Sequence, residues 1–264
     1  RGPRGELRRE LLHLLAGAER GGDARVLVGA HPGERGDPVE ILRDAKEGVV
    51  YAMVSADGKK GVVIRLSSET DFVAKNEDFV NLAKEFTQIA LDTFPADLET
   101  LLKQPYQNIT IGEKVSEQVG VIGEKIELAD YQQIEAPQVV SYIHMGNKAG
   151  VILGLNNADA KFRDAGRDVA MQVAAMKPVA LDKDGVDASI IEKEIEIGKE
   201  LARQEGKPED MLEKIALGKL NRFFKDNTLL AQAFVKDNSL SVEAYLKSMD
   251  KDLTVTAFKH VKLG

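Results

Sequence analysis

The sequence predicts an α+β fold. Two tandem subdomains each combine a small antiparallel sheet with helices, and an antiparallel helical hairpin of coiled-coil type is inserted in the second. Three observations carry this. A β-hairpin followed by a helix occurs twice along the chain. Residues 187–226 read as two helices of similar length joined by a short turn. The composition is 43% hydrophobic but only 5% aromatic, with no Trp, which calls for an aliphatic core.

The first hairpin is clear from Gly48. Gly48-Val49-Val50-Tyr51-Ala52-Met53-Val54 reads as a strand, Ala56-Asp57-Gly58-Lys59 as a tight turn, and Gly61-Val62-Val63-Ile64-Arg65-Leu66 as the return strand. Asp-Gly tolerates the positive φ that such turns need. A helix is expected from about Glu77 to Leu91, capped by Asn76, with Phe79, Leu82, Ala83, Phe86, Ile89 and Ala90 at helical spacing. A further helix fits Gly112 to Val121, and a strand Lys125 to Leu128.

The plan then repeats. Val139 to His144 is a strand, Met145-Gly146-Asn147-Lys148 a turn, and Gly150 to Leu155 the return strand. A helix from about Ala160 to Lys177 closes at Pro178. Local wording recurs too: Val-x-Tyr stands before each turn, and Gly-Val followed by two hydrophobic residues stands after it. In 187–226, Ile190, Ile191, Ile195, Ile197 and Leu201 populate one helix and Met211, Leu212, Ile215, Ala216, Leu220 and Phe223 the next. Glu205-Gly206-Lys207-Pro208 stops one helix and starts the other. Gly198 and Gly218 lie inside these helices, kept either for close backbone approach or by simple tolerance. A strand near Ala233 to Val235, a helix from about Val242 to Met249 and a strand from Leu253 to Val261 complete the chain.

Composition shifts near residue 47. Eight of the 13 arginines lie in residues 1–43, nearly all lysines follow, and Gly and Pro break the pattern beyond a short helix expected from Glu6 to Ala18. Residues 1–47 are expected to be poorly packed. The expected domains are therefore this segment, a first core subdomain at 48–137, and a second at 138–264 that includes the hairpin at about 187–226.

Composition also excludes function classes. A net charge of -7 argues against a basic nucleic-acid surface. No cysteine is present, so a disulfide framework, a thiolate metal site and a Cys nucleophile are excluded, in keeping with a reducing, cytoplasmic location. No apolar run approaches the roughly 20 residues that cross a bilayer. Neither phosphate-loop pattern, G-x-x-x-x-G-K-[ST] or G-x-G-x-x-G, occurs. His13, His31, His144 and His260 lack metal-ligand spacing, so no metal or cofactor is expected. Carboxylates sit beside lysines at helical spacings, as solvated faces do. An enzyme built from dispersed acids lacks any site signature.

One segment stands apart: Ser68-Glu69-Thr70-Asp71-Phe72-Val73-Ala74-Lys75-Asn76, between a strand and a helix. Thr70 and Asp71 suit a helix start. Phe72 precedes Phe79 by seven residues, so in a continuous helix it joins the core stripe, and spacing alone favours that burial. Asn76 argues instead for a helix that restarts later and frees the ring.

Thr70-Asp71-Phe72-Val73 with Ala74-Lys75-Asn76 resembles the signature of the elongation factor Ts family. Other segments agree in order: Ser141-Tyr142-Ile143-His144, Asp168 to Ala175 with Lys177-Pro178, Gly206-Lys207-Pro208, Glu213-Lys214-Ile215, and Leu229 to Asp237. The resemblance covers about residues 47–264. It implies a guanine-nucleotide exchange factor for the translation GTPase elongation factor Tu (EF-Tu), met in its GDP-bound and nucleotide-free forms, and not an enzyme. Thr70, Asp71, Phe72 and Val73 would be pressed beside the partner's Mg2+ site, with the Phe72 ring as a wedge. The second subdomain would hold another domain of the partner, with Gln172 as a secondary contact. Gln172 stands where some family members carry His; it lies on the helix stripe of Phe162, Ala165, Val169 and Met176, where a polar residue is unexpected, and the alternative is a helix-edge residue in solvent. An alternative role is a stabiliser or host factor that binds EF-Tu without efficient exchange. The helical hairpin either pairs with another chain, giving a homodimer, or rests on its own core. The family normally begins with a three-helix module resembling ubiquitin-associated domains; residues 1–47 lack its motif, and a truncated, misjoined or frame-shifted start is the expectation there.

Overall fold

The computed structural model describes residues 44–264; the helix expected at Glu6 to Ala18, and nearly all of the 1–47 segment, lie outside them. The described residues fall into two compact units, 44–186 with 224–264, and Asp187–Phe223.

The larger unit is built on two three-stranded antiparallel sheets of the same plan. In the first, β1 (Glu47–Val54) and β2 (Lys60–Ser68) form a hairpin, and β5 (Glu127–Glu135) joins the free side of β2. In the second, β6 (Gln138–His144) and β7 (Ala149–Leu155) form the hairpin, and β10 (Val255–Lys262) joins the free side of β7. Each hairpin's return strand is thus central, and each third strand arrives after a helical excursion.

The sequence of the central strands follows from being buried on both faces. In β2, Val62 and Ile64 point to one core while Val63 points to another. In β7, Val151 and Leu153 point one way and Ile152 the other. Val50, Ala52, Val63, Ile134, Val139 and Ile152 bury one another where the sheets meet face to face. Helix α2 (Glu77–Thr93) covers the outer face of the first sheet with Phe79, Leu82, Ala83, Phe86 and Ala90. Helix α5 (Arg163–Met176) covers the second with Ala165, Val169, Ala170 and Val173. The order is helix, sheet, sheet, helix.

Between β2 and α2 lies the four-residue α1 (Asp71–Ala74). The excursion between α2 and β5 contains α3 (Leu98–Leu102), the short pair β3 (Pro105–Tyr106) and β4 (Ile109–Thr110), and α4 (Ile111–Ile122). Neither α3 nor the β3–β4 pair is expected from the sequence, since each is too short to show a period. The strand expected at Lys125 to Leu128 extends instead through Glu135. Its polar middle, Asp130 to Gln133, hides the alternation, and its register with β2 shifts between Arg65 and Leu66. The helix expected from Ala160 begins as a 3-10 turn, Ala160–Phe162, before α5.

The smaller unit holds α6 (Ala188–Gln204) and the part of α7 (Leu212–Asn227) that precedes Phe224. Arg203 pairs with Glu209 at 2.9 Å and Lys199 with Glu213 at 2.6 Å, and Gly198 faces Ala216. The partners step away from the turn in opposite chain directions, so the helices are antiparallel. A Cβ on Gly198 would stand 3.1 Å from the Cα of Ala216, whereas one on Gly218 would meet nothing within 4 Å. Close approach therefore requires Gly198, and Gly218 is tolerated. Gly218→Ala is expected to raise amide protection in this hairpin about twofold to fivefold, the equivalent of ~0.5–1 kcal/mol, while Gly198→Ala gives no gain. Native-state hydrogen exchange reads the difference.

The remaining elements are β8 (Ala233–Phe234), β9 (Asp237–Ser241) and α8 (Val242–Met249), which pack on the α5 side through Phe234, Val242 and Leu246. No helix among the described residues is long and apolar enough to cross a membrane.

Candidate functional site: an exposed aromatic ring on a clamped loop

The end of β2 is buried at Ser67 and Ser68, and the Ser68 hydroxyl donates to the Thr70 carbonyl at 3.0 Å. Thr70 then caps α1, its Oγ1 accepting from the Val73 N–H at 3.5 Å. Helix α1 stops at Lys75, and Asn76 opens α2 by accepting from the Asp78 N–H at 2.8 Å. The restart signalled by Asn76 thus overrides the seven-residue spacing from Phe72 to Phe79. The Phe72 side chain is 83% exposed, and no residue of α1 is buried.

The other signature residues turn different ways. Asp71 bonds Lys75 at 2.6 Å, and that bond, with the attraction of the same ammonium, holds its carboxyl below the usual range. Val73 is half-buried against the core under α2. Thr70 faces inward, to Glu124: its N–H donates to Glu124 Oε2 at 3.1 Å and its hydroxyl to Glu124 Oε1 at 2.7 Å. Glu69 in turn accepts from the Lys125 N–H at 2.6 Å. Sequence reading misses Glu124, because it lies 54 residues from Thr70.

A depression of about 430 Å3 adjoins the loop, lined in part by Glu47, Thr70, Phe72, Lys75, Lys148 and Leu263. Its far rim is the β6–β7 turn, where Met145, Gly146 and Asn147 all have positive φ. That turn is held to the first sheet by the Val50 N–H, which donates to the Asn147 carbonyl at 2.7 Å. Met145 is 72% exposed. The arrangement displays apolar side chains beside fixed charges, as a contact surface does. Among the described residues, no group of three or more His, Cys, Asp or Glu side chains is placed to hold a metal ion.

Gln172 is not at a solvent edge. It is fully buried on α5, and its amide is bonded within the chain. Nε2 donates to the Ala233 carbonyl at 2.9 Å and to Gln232 Oε1 at 3.3 Å, and Oε1 accepts from the Val235 N–H at 2.9 Å. A polar residue on the apolar stripe is thus explained by the polar backbone of the β8–β9 segment lying across it. Gln172→Ala is expected to cost about 2 kcal/mol, because a fully buried side chain is removed and the part-buried Ala233 carbonyl and Val235 N–H lose their partner; thermal unfolding checks this.

The family model for elongation factor Ts matches residues 69–264. A protein of Christiangramia forsetii named elongation factor Ts is 50% identical over 222 residues, covering 84% of this chain and 80% of the relative. The proteins of that name from Cytophaga hutchinsonii and Porphyromonas gingivalis are 48% identical over 249 residues and 42% over 233, covering 93% and 87% of this chain and 90% and 84% of their own lengths. The family match begins at the loop that displays Phe72 and takes in β5 of the first sheet and all three strands of the second: the chain belongs to the elongation factor Ts family.

Proposed function

We propose that this protein is the guanine-nucleotide exchange factor for elongation factor Tu in translation elongation, a binding protein and not an enzyme. The observation that carries the reading is the Phe72 ring, 83% exposed on a loop whose base is tied down. A large apolar ring facing water has no stabilising role in its own fold. It gains its contacts only when a partner covers it.

On this reading Phe72 enters the GTPase domain of the partner beside its Mg2+ site. Asp71, ionised under the influence of Lys75, adds charge and hydrogen-bonding capacity next to the ring. Val73, half-buried, offers a smaller apolar contact, and Thr70 shapes the loop. Displacing the elements that coordinate Mg2+ removes a charge bridge to the phosphates and weakens GDP binding. Linkage requires the converse: GDP weakens the complex by the same factor. GTP then fills the emptied site and expels the factor. Gln172 acts indirectly, by fixing the backbone at Ala233 and beside the partly exposed Val235. The test is stopped-flow release of fluorescent GDP from purified EF-Tu. Substoichiometric amounts of this protein should accelerate release; a tight complex without acceleration would overturn the reading in favour of a stabiliser.

A further inference from the structure

We propose that two crossed carboxylates, Glu124 on Thr70 and Glu69 on Lys125, form a clamp that aims Phe72, which makes Glu124 a positioning residue for exchange. The inference rests on the exchange reading above and deepens it.

Helix α1 has four residues, none of them buried. So short a helix does not hold its own direction in water. Beyond the half-buried Val73, its aim comes from its ends. At the N-terminal end, Glu124 grips Thr70 at two points, the backbone N–H at 3.1 Å and the hydroxyl at 2.7 Å. Two bonds to one residue fix orientation as well as distance, and both are charge-assisted. Thr70 is also the cap of α1, so rotating it rotates the helix.

The return bond makes the connection double. Glu69, immediately before Thr70, accepts from the N–H of Lys125, immediately after Glu124, at 2.6 Å. Each segment thus supplies one carboxylate and receives one. Glu124 is brought to this place by the end of α4: Gly123 takes φ 79 as the C-cap and turns the chain toward the loop. The clamp therefore ties the four-residue α1 to a helix of 12 residues. Phe72 lies two residues beyond the gripped threonine, and no bond from its own side chain guides it.

The experiment measures EF-Tu-bound GDP release with Glu124→Ala, Thr70→Val, Thr70→Ser, Phe72→Ala and the double variant Phe72→Ala/Glu124→Ala. Misplacement of a working group by about 1 Å costs up to ~100-fold in rate, so Glu124→Ala should slow stimulated release about tenfold to a hundredfold. Thr70→Val should follow it, and Thr70→Ser, which keeps the hydroxyl, should recover most of the rate that Thr70→Val loses. In the absence of Phe72 the clamp has nothing to aim: the double variant should match Phe72→Ala within about twofold, since residues acting as one unit are not additive. Hydrogen exchange at the Val73 and Ala74 amides, which donate to Thr70, should quicken in Glu124→Ala while α2 stays protected, which separates loosening of the loop from unfolding. Wild-type release by Glu124→Ala, or equal slowing by that change with and without Phe72, overturns the clamp and leaves the exchange reading intact. Wild-type release by Phe72→Ala overturns the clamp together with the wedge, whereas absence of acceleration by the wild-type protein overturns the exchange reading itself.

Discussion

Phe72→Ala should slow stimulated GDP release from EF-Tu by about thirtyfold to several hundredfold while leaving the fold unchanged. Truncating a central aromatic anchor costs about 2–4 kcal/mol of interaction, and each 1.36 kcal/mol is about tenfold in rate. Stability should not move by more than about 0.5 kcal/mol, because the ring is exposed and α1 buries nothing. The two readouts together are diagnostic. A core phenylalanine such as Phe86, with no exposed surface, would lose stability on truncation. Phe72→Leu should fall between, keeping apolar bulk but losing the flat face. Equal release rates for Phe72→Ala and the wild type would remove the wedge from the mechanism.

The signals that are legible in the sequence are those whose cause is local. The continuous apolar runs in β2 and β7 announce strands buried on both faces, and both are central in their sheets. Asp57-Gly58 announces its turn, with Gly58 at φ 71 and the Asp57 carboxylate accepting from Ser55 and Lys59. Asn76 is the instructive case. A seven-residue period argued for burying Phe72, and one capping side chain argued against it; the cap prevailed, because a helix that restarts loses the phase of the turns before it. What stays hidden is set by distant partners. Nothing near Gln172 explains a buried amide, because the groups it satisfies, Ala233 and Val235, lie 61 and 63 residues on. Glu124 reads as an ordinary acidic residue after a helix until folding brings Thr70 to it. The face-to-face meeting of the sheets is equally invisible, since alternation says that a strand has two covered faces and not what covers them.

Gly48→Ala should have the largest effect on stability, and it should disturb the site from behind. Gly48 takes φ 141, a region that residues with a Cβ rarely occupy, and it pairs with Ser67 in the β1–β2 hairpin. An added Cβ would lie 2.2 Å from the Leu66 carbonyl oxygen and 2.7 Å from the Ser67 Cα. Both are backbone atoms of a buried central strand, so no side-chain rotation relieves the overlap; the strands must part. Backbone strain costs about 1–3 kcal/mol and overpacking about 1–3 more, so a loss of about 3 kcal/mol or more is expected. For a chain of this size that lowers the melting temperature by about 6–12 °C. The strand that must move is the one that leads through Ser68 into Glu69 and Thr70, and Gly48 itself lines the depression beside Phe72. Exchange should therefore weaken in Gly48→Ala even at temperatures where the protein remains folded. Phe72→Ala separates activity from stability, whereas Gly48→Ala should lower both, because the rigidity of the loop's base and the pairing of the first hairpin are one structural property. A melting temperature within 2 °C of wild type, with full exchange activity, would show that the hairpin absorbs a methyl group at this position and that the loop is not fixed through β2.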